Sequence, residues 1–275
     1  MKQEKRIHSE FLSVVIPAYR AENSIVKTLQ GVKEVLDQMP YEYEIIVVVD
    51  GILDKTIDIA ERYARKSSQN IIVTGYQQNM GKGHAVRFGM AKAKGDIIGF
   101  TDVGLDIDPS AIPLALEHFR WYNADGIIGS KRHPASKVYY PWQRRILSFG
   151  YQLGTRALFG LKVRDTQVGL KIFKREVLLQ TLPRLLVKEF AFDVEMLSVA
   201  NYLGFKRIYE TPIELKMEFG ASTILSKGFW RTVWKMAWDT AAVFYRLRIM
   251  RYYDTKNKKR WITPEYLTLQ AKNKV

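Results

Sequence analysis

Residues 11–51 read FLSVVIPAYRAENSIVKTLQGVKEVLDQMPYEYEIIVVVDG, and two periodicities inside this stretch set the fold class. Leu12 to Ile16 and Glu44 to Val49 are apolar runs rich in β-branched residues, the signature of buried strands. Between them, Glu22 to Gln38 places Ile25, Leu29, Val32 and Leu36 at helical spacing. The unit is βαβ. The alternation continues with a helix over Lys55 to Arg65, a strand over Asn70 to Thr74, a helix over Gly83 to Lys94 and a strand over Asp96 to Phe100. Strands apolar on both faces, alternating with helices, predict an α/β fold with a mostly parallel central sheet flanked by helices. In such sheets ligands sit beyond the carboxyl ends of the strands, so the loops after Ile16, Val49 and Phe100 are where a site is expected.

Farther along, the spacing predicts a helix from Pro109 to Tyr122, a strand from Gly126 to Gly129, a helix from Trp142 to Phe159 and a strand from Gly169 to Phe173. A helix from Val194 to Tyr202 and a pair of strands over Arg207 to Leu215, broken at Pro212, follow. From Phe229 to Tyr253 the chain turns aromatic and basic together. With 275 residues, 47% of them hydrophobic, the chain is long enough for one large α/β core and an appendage. Its 43 Lys and Arg against 28 Asp and Glu give a formal charge of +15, which points to a polyanionic partner. There is no cysteine, hence no disulfide framework and no thiolate metal site, which agrees with a cytoplasmic address. No secretion signal and no apolar run of membrane-spanning length is read, so any membrane contact is expected to be peripheral.

The loop after the fourth strand, Thr101-Asp102-Val103-Gly104-Leu105-Asp106-Ile107-Asp108-Pro109, carries three carboxylates. Hard divalent cations take such oxygens, and Mg²⁺ is commonly held by one or two carboxylates with substrate phosphates and water. Asp108, before Pro109, reads as a helix N-cap, leaving Asp102 and Asp106 as metal candidates. Asp54 likewise reads as an N-cap. At the second strand's tip, Asp50-Gly51 is either a plain turn or a carboxylate that accepts hydrogen bonds from a nucleobase. Asn79-Met80-Gly81-Lys82-Gly83, ahead of a helix, is either a tight turn or a phosphate approach. Lys131, Arg132 and His133 follow the fifth strand, and Arg144 and Ser148, one helical turn apart, share a face that can clamp a phosphate.

Taken together, Val14 to Tyr19, Val48 to Gly51, Asn79 to Gly83 and Thr101-Asp102 resemble family 2 glycosyltransferases of the GT-A fold. Gly129 to Arg132, Arg164 to Lys171 and Phe192 to Glu195 look like the polyprenyl-phosphate hexose synthases, of dolichyl-phosphate glucose and mannose types. The resemblance runs from about Phe11 to Ser222, dividing the chain into a catalytic domain, 1–222, and a helical segment, 223–275. It implies that Pro17, Tyr19, Glu22 and Asp50 line a nucleotide pocket with Lys82 nearby, and that Asp102 holds Mg²⁺ or Mn²⁺. Gly104 stands where that family carries its second acid, and Asp106 is the substitute ligand. By the same resemblance Arg132, Arg144 and Ser148 grip an acceptor phosphate, while Asp165, Gln167 and Asp193 face the sugar.

The activity so implied is transfer of glucose or mannose, with inversion, from UDP-glucose or GDP-mannose to a dolichyl or polyprenyl phosphate. A phosphate monoester is largely dianionic near neutral pH, so positioning and charge neutralisation outweigh base catalysis. Trp230, Trp234 and Trp238 recur every fourth residue among Arg231, Lys235, Arg246, Arg248 and Arg251. That pattern fits a helix lying on a membrane surface, and it fits equally tryptophans packed on the domain or in a homodimer contact. A soluble acceptor and an inactive sugar-nucleotide binder remain as alternatives, the latter because of Gly104. A nucleic-acid partner is not expected, since no DNA-reading motif is present and the acidic loop repels phosphates.

Overall fold

The computed structural model describes residues 10–67, 69–139, 142–216 and 227–267, without the side chains of 139, 142–147, 216 and 227–230. The chain runs β1 (Phe11–Ala18), α1 (Ile25–Asp37), β2 (Glu42–Asp50), α2 (Thr56–Ser67), β3 (Ile71–Tyr76), α3 (Lys82–Lys92) and β4 (Ile97–Thr101). It continues with α4 (Ala111–Trp121), β5 (Gly126–Ser130), β6 (Lys137–Tyr139), α5 (Trp142–Phe159), β7 (Leu170–Lys174) and α6 (Arg175–Thr181). Last come α7 (Phe192–Tyr202), β8 (Ile208–Pro212), β9 (Glu214–Lys216) and α8 (Lys227–Phe244).

Seven strands form one sheet in the order β3-β2-β1-β4-β7-β5-β8. Pairing is parallel at β1–β2, β2–β3, β1–β4 and β5–β8, and β7 runs antiparallel to both β4 and β5. The alternation of side chains along a strand explains why both faces are apolar. Val14 and Ile16 join one layer with Ile25, Leu29, Val32 and Leu36 of α1, while Val15 joins the other with Ala85, Val86 and Met90 of α3. The chain builds outward from β1 to β3 and then returns to β4 on the other side of β1, so the direction of winding reverses between β1 and β4. A crevice opens beyond the carboxyl ends of strands at such a reversal.

Several features depart from the local reading. The strand read at Gly169 to Phe173 is β7, and its antiparallel direction is decided by the route of the preceding loop rather than by its own residues. The two strands around Pro212 do not pair with each other: β8 closes the main sheet, and β9 pairs with β6 in a small second sheet. Neither β6 nor α6 is anticipated, both being too short to show a period. Asp54 acts as a cap, accepting from the N–H of Thr56 at 3.0 Å, whereas the N-cap of α4 is Ser110 and Asp108 instead closes the turn before it, accepting from the Ser110 N–H at 2.9 Å.

Residues from the 227–267 segment share the core of the sheet domain. Val243, Leu247, Tyr252 and Tyr253 are buried in the same layer as α3 and α7. Among the described residues no helix is long and apolar enough to cross a membrane.

Candidate active site

The carboxyl ends of β1, β2 and β4 converge on a cleft of about 540 Å³ lined by Pro17, Tyr19, Asp50, Lys82, Asp102 and Asp106, among others. Five of these six residues lie at strand tips or in the loops that follow them, and Lys82 opens α3. Glu22 is not part of the wall; its carboxylate accepts from the N–H of Lys55 at 3.3 Å, at the start of α2. The wall also includes Glu189 and Phe190, from the loop before α7, which no periodicity or motif singles out.

Asp50 is buried, and both its oxygens are engaged: Oδ1 accepts from the N–H of Met80 at 2.7 Å and Oδ2 from that of Gly81 at 3.0 Å. Its carboxylate thus pins the turn that leads into α3, combining the turn role with a place in the cleft wall. Asp102 meets Lys82, whose Nζ lies 2.6 Å from Oδ1 and 2.8 Å from Oδ2. On its other side the Asp102 carboxylate rests on Gly169: a Cβ there would come within 1.9 Å of Oδ2, so only glycine leaves it room. The Asp102 N–H donates to the Gly169 carbonyl at 3.1 Å, completing the seat. Burial lowers the Lys82 ammonium, but Asp102 and Asp193 outweigh it and hold the group above its ordinary value, fully charged. Burial and the neighbouring Asp102 charge raise Asp106. Gly104 has φ +111°, a conformation that an aspartate at that position would adopt only with strain.

Beneath the cleft, Lys171 is wholly buried in β7 and pairs with Asp193 at 2.7 Å; its ammonium lies 5.1 Å and that of Lys82 5.8 Å from the Phe100 ring centre. Burial pushes the Lys171 ammonium down, with Asp193 opposing. Asp193 therefore forms the floor under the cleft instead of standing in its wall. The segment from Arg164 to Gly169 crosses between the tips of β4 and β5, because antiparallel β7 begins where those two strands end. Within it, buried Asp165 accepts from the N–H groups of Lys131 at 3.2 Å and Gln167 at 3.1 Å. The Gln167 side-chain nitrogen Nε2 is buried with no hydrogen-bond partner and can donate to a ligand oxygen.

On the far side of this segment lies a second cleft, of about 530 Å³, lined by Lys131, Arg132, His133, Gln152, Arg156 and Arg164, among others. Arg132 donates to the Ser148 hydroxyl at 3.2 Å, and its guanidinium lies 5.4 Å from the Phe149 ring centre. Ser148 is thus partnered by Arg132; Arg144 belongs to α5, but its side chain lies outside the described residues. Arg156 and Arg164 of this wall are assigned no role by the sequence motifs. The usable signal was the four-residue step from Ser148 through Gln152 to Arg156, which places all three on one helix face.

Among the described residues no three His, Asp or Glu side chains gather as a ready metal cage. The hard oxygens of Asp102 and Asp106 fit a divalent cation that takes its remaining ligands from phosphate and water. An acid-bearing cleft at the winding reversal, beside a basic one on the same sheet edge, belongs with the GT-A class of fold. A crystallised glucosyl-3-phosphoglycerate synthase of Mycobacterium tuberculosis, in complex with Mn²⁺, UDP-glucose and phosphoglyceric acid, matches with a TM-score of 0.63 over 85% of this chain and 80% of that one. At 17% identity that likeness is one of fold.

The chain belongs to glycosyl transferase family 2, which it matches over residues 13–182. It is 34% identical over 209 residues to a dolichyl-phosphate beta-glucosyltransferase of Drosophila melanogaster, covering 70% of this chain and 63% of that protein. The matched stretch thus spans a little under two thirds of the insect relative. It is also 30% identical over 260 residues to dolichyl-phosphate beta-glucosyltransferase ALG5D of Trichomonas vaginalis, covering 90% and 77% of the two chains.

Proposed function

We propose that this protein transfers glucose from UDP-glucose to a dolichyl or polyprenyl phosphate, in one displacement with inversion, at the cytoplasmic face of a membrane. The observation that carries the reading is the pair of clefts of opposite lining on one sheet edge, linked by the segment 164–169, which meets Asp102 through Gly169 and Lys131 through Asp165. Two anions must meet in this reaction, and each needs its own cations. The shared name of the relatives favours glucose over mannose.

In the acidic cleft Pro17, Tyr19 and Asp50 border the nucleotide, and Lys82 faces the diphosphate. Asp102 and Asp106 would hold Mg²⁺ or Mn²⁺, the metal being one that accompanies UDP-glucose in the mycobacterial fold relative. Such a cation neutralises charge on a departing diphosphate. In the basic cleft Arg132, backed by Ser148 and joined by Arg144, orients the acceptor phosphate. An acceptor phosphate oxygen attacks the anomeric carbon as the bond from that carbon to the diphosphate oxygen breaks, and its electron pair leaves with UDP. Asp165 and the unpartnered Gln167 amide hold the sugar between the clefts, over a floor that Lys171 and Asp193 keep rigid. The exposed tryptophans of α8 bring the lipid within reach.

Incubation with Mn²⁺, a polyprenyl phosphate and either UDP-glucose or GDP-mannose, with product read by mass, tests this directly. Glucosyl lipid should form from UDP-glucose. Asp102→Asn should lower turnover by about a hundredfold or more, and Arg132→Ala should raise the KM for lipid phosphate by on the order of tenfold while sparing UDP binding. Transfer only to a water-soluble acceptor would replace the lipid reading, and full activity in Asp102→Asn would remove the metal from it.

A further inference from the structure

The ammonium of Lys82 occupies both oxygens of the carboxylate to which the metal is assigned. A divalent cation binds carboxylate oxygen at about 2.1 Å, so it competes for Asp102 with an ammonium already placed on both oxygens. On its other side the Asp102 carboxylate lies against Gly169, where a side chain would displace it. Lys82, in turn, has few places to go. Asp193 is already paired with Lys171, and Asp50 is held by the N–H groups of Met80 and Gly81. The remaining acids of the cleft are Asp106, the second ligand proposed for the metal, and Glu189, whose carboxylate already pairs with Lys235 at 2.5 Å. A displaced Lys82 therefore needs a negative group that the protein does not itself provide. A nucleotide diphosphate in this cleft is such a group, and Lys82 begins α3, whose first turn contains no acidic residue to compete.

We propose that Lys82 is an exchangeable counter-ion: it neutralises Asp102 in the empty cleft and releases it to the divalent cation only when a diphosphate takes over the ammonium. Metal and donor then enter as one unit, and neither binds well alone. The exchange also gives physical meaning to Gly104. With one acid fewer in the loop, the protein's own oxygens are too few to displace Lys82, and the diphosphate makes up the difference. Being a coupling between two binding events, the effect is reciprocal: UDP tightens metal as much as metal tightens UDP. The proposal rests on the metal-dependent reading above and assigns the order in which that site assembles.

The deciding measurement is Mn²⁺ affinity without nucleotide, read on the full chain by the loss of the free-ion electron paramagnetic resonance signal. UDP binds Mn²⁺ on its own, so coupling in the unaltered protein does not by itself separate exchange from simple bridging. Lys82→Met should bind Mn²⁺ at least about tenfold more tightly than the unaltered protein when no nucleotide is present, and the further gain from UDP should shrink accordingly. Lys82→Arg, which retains the charge, should keep weak nucleotide-free binding and serves as the control should the methionine variant fold poorly. Unchanged or weaker nucleotide-free affinity in a folded Lys82→Met overturns the exchange, as does tight Mn²⁺ binding by Lys82→Arg. Asp102→Asn separates this from failure of the metal reading itself: if, with UDP present, that variant binds Mn²⁺ as the unaltered protein does, Asp102 is no ligand and both fall.

Discussion

Asp50 ties the end of β2 to the turn before α3, and His84, one turn into that helix, accepts or donates a hydrogen bond at 3.0 Å to the hydroxyl of Tyr76 at the end of β3. Burial, with Lys188 and Arg87 adding to it and Asp50 opposing, holds His84 below its ordinary value of 6.5. The folded chain therefore binds this proton less readily than the unfolded chain, which takes up more protons as pH falls. The stability due to the neutral ring is complete above the unfolded value and is lost as pH drops from there toward the folded one. Thermal melts between about pH 8 and about pH 5 should show the midpoint falling on the acid side, and His84→Gln should flatten that slope. An identical slope in the variant would assign the loss to other groups. At this scale the sequence showed which residues carry charge at strand tips, yet not their partners. Asp102 is 20 residues from Lys82, and Ser148 is 16 from Arg132; no local pattern relates such pairs.

α8 displays both readings of the aromatic repeat at once. Its inner side packs: Thr240 meets the Tyr151 hydroxyl of α5 at 2.8 Å, and Val243 is buried. Its outer side does not, since Trp234 is 75% and Trp238 78% exposed, which excludes packing of these two rings on the domain. Phe149 and Leu153 of the adjoining α5 are exposed as well. Arg231, Arg248 and Arg251 of the same C-terminal segment are exposed and complement anionic lipid, whereas Lys235 pairs with Glu189 of the cleft wall at 2.5 Å. Replacing Trp234 and Trp238 together by alanine should weaken co-sedimentation with vesicles containing anionic lipid by at least about tenfold, with the folded state intact by circular dichroism. Retained vesicle binding, together with a lost dimer in sedimentation, would give the rings to a protein contact. The repeat itself was legible because a four-residue step defines a helix face, whereas what covers that face depends on where the helix docks.

Across the whole molecule, Glu195 of α7 ties the C-terminal segment to the active-site wall. Wholly buried, it accepts from the N–H of Leu186 at 2.9 Å and Val187 at 2.8 Å and from the Tyr253 hydroxyl at 2.6 Å, with Arg246 at 3.5 Å. The loop it holds runs on to Glu189 and Phe190 in the donor cleft. Removing a buried partner leaves the others unpaired, so Glu195→Ala should cost about 3–5 kcal/mol of folding stability. Tyr253→Phe, which removes one hydrogen bond, should cost about 1–3 kcal/mol. Urea unfolding followed by tryptophan fluorescence measures both; a near-neutral Glu195→Ala would mean that the segment is held by apolar packing alone.

By itself the sequence determined the βαβ alternation, the strand tips that carry acids, the Asp54 cap and the aromatic face of α8. Each of these is written in spacings of a few residues, where burial period and turn chemistry act locally. Only the tertiary structure decided that β7 runs against its neighbours, that Lys82 sits on Asp102, that Lys171 answers Asp193 under the cleft and that Glu195 binds Tyr253 from 58 residues away. Those pairings follow from strand order and loop route, which bring distant charges together in a low-dielectric interior where each must find a partner.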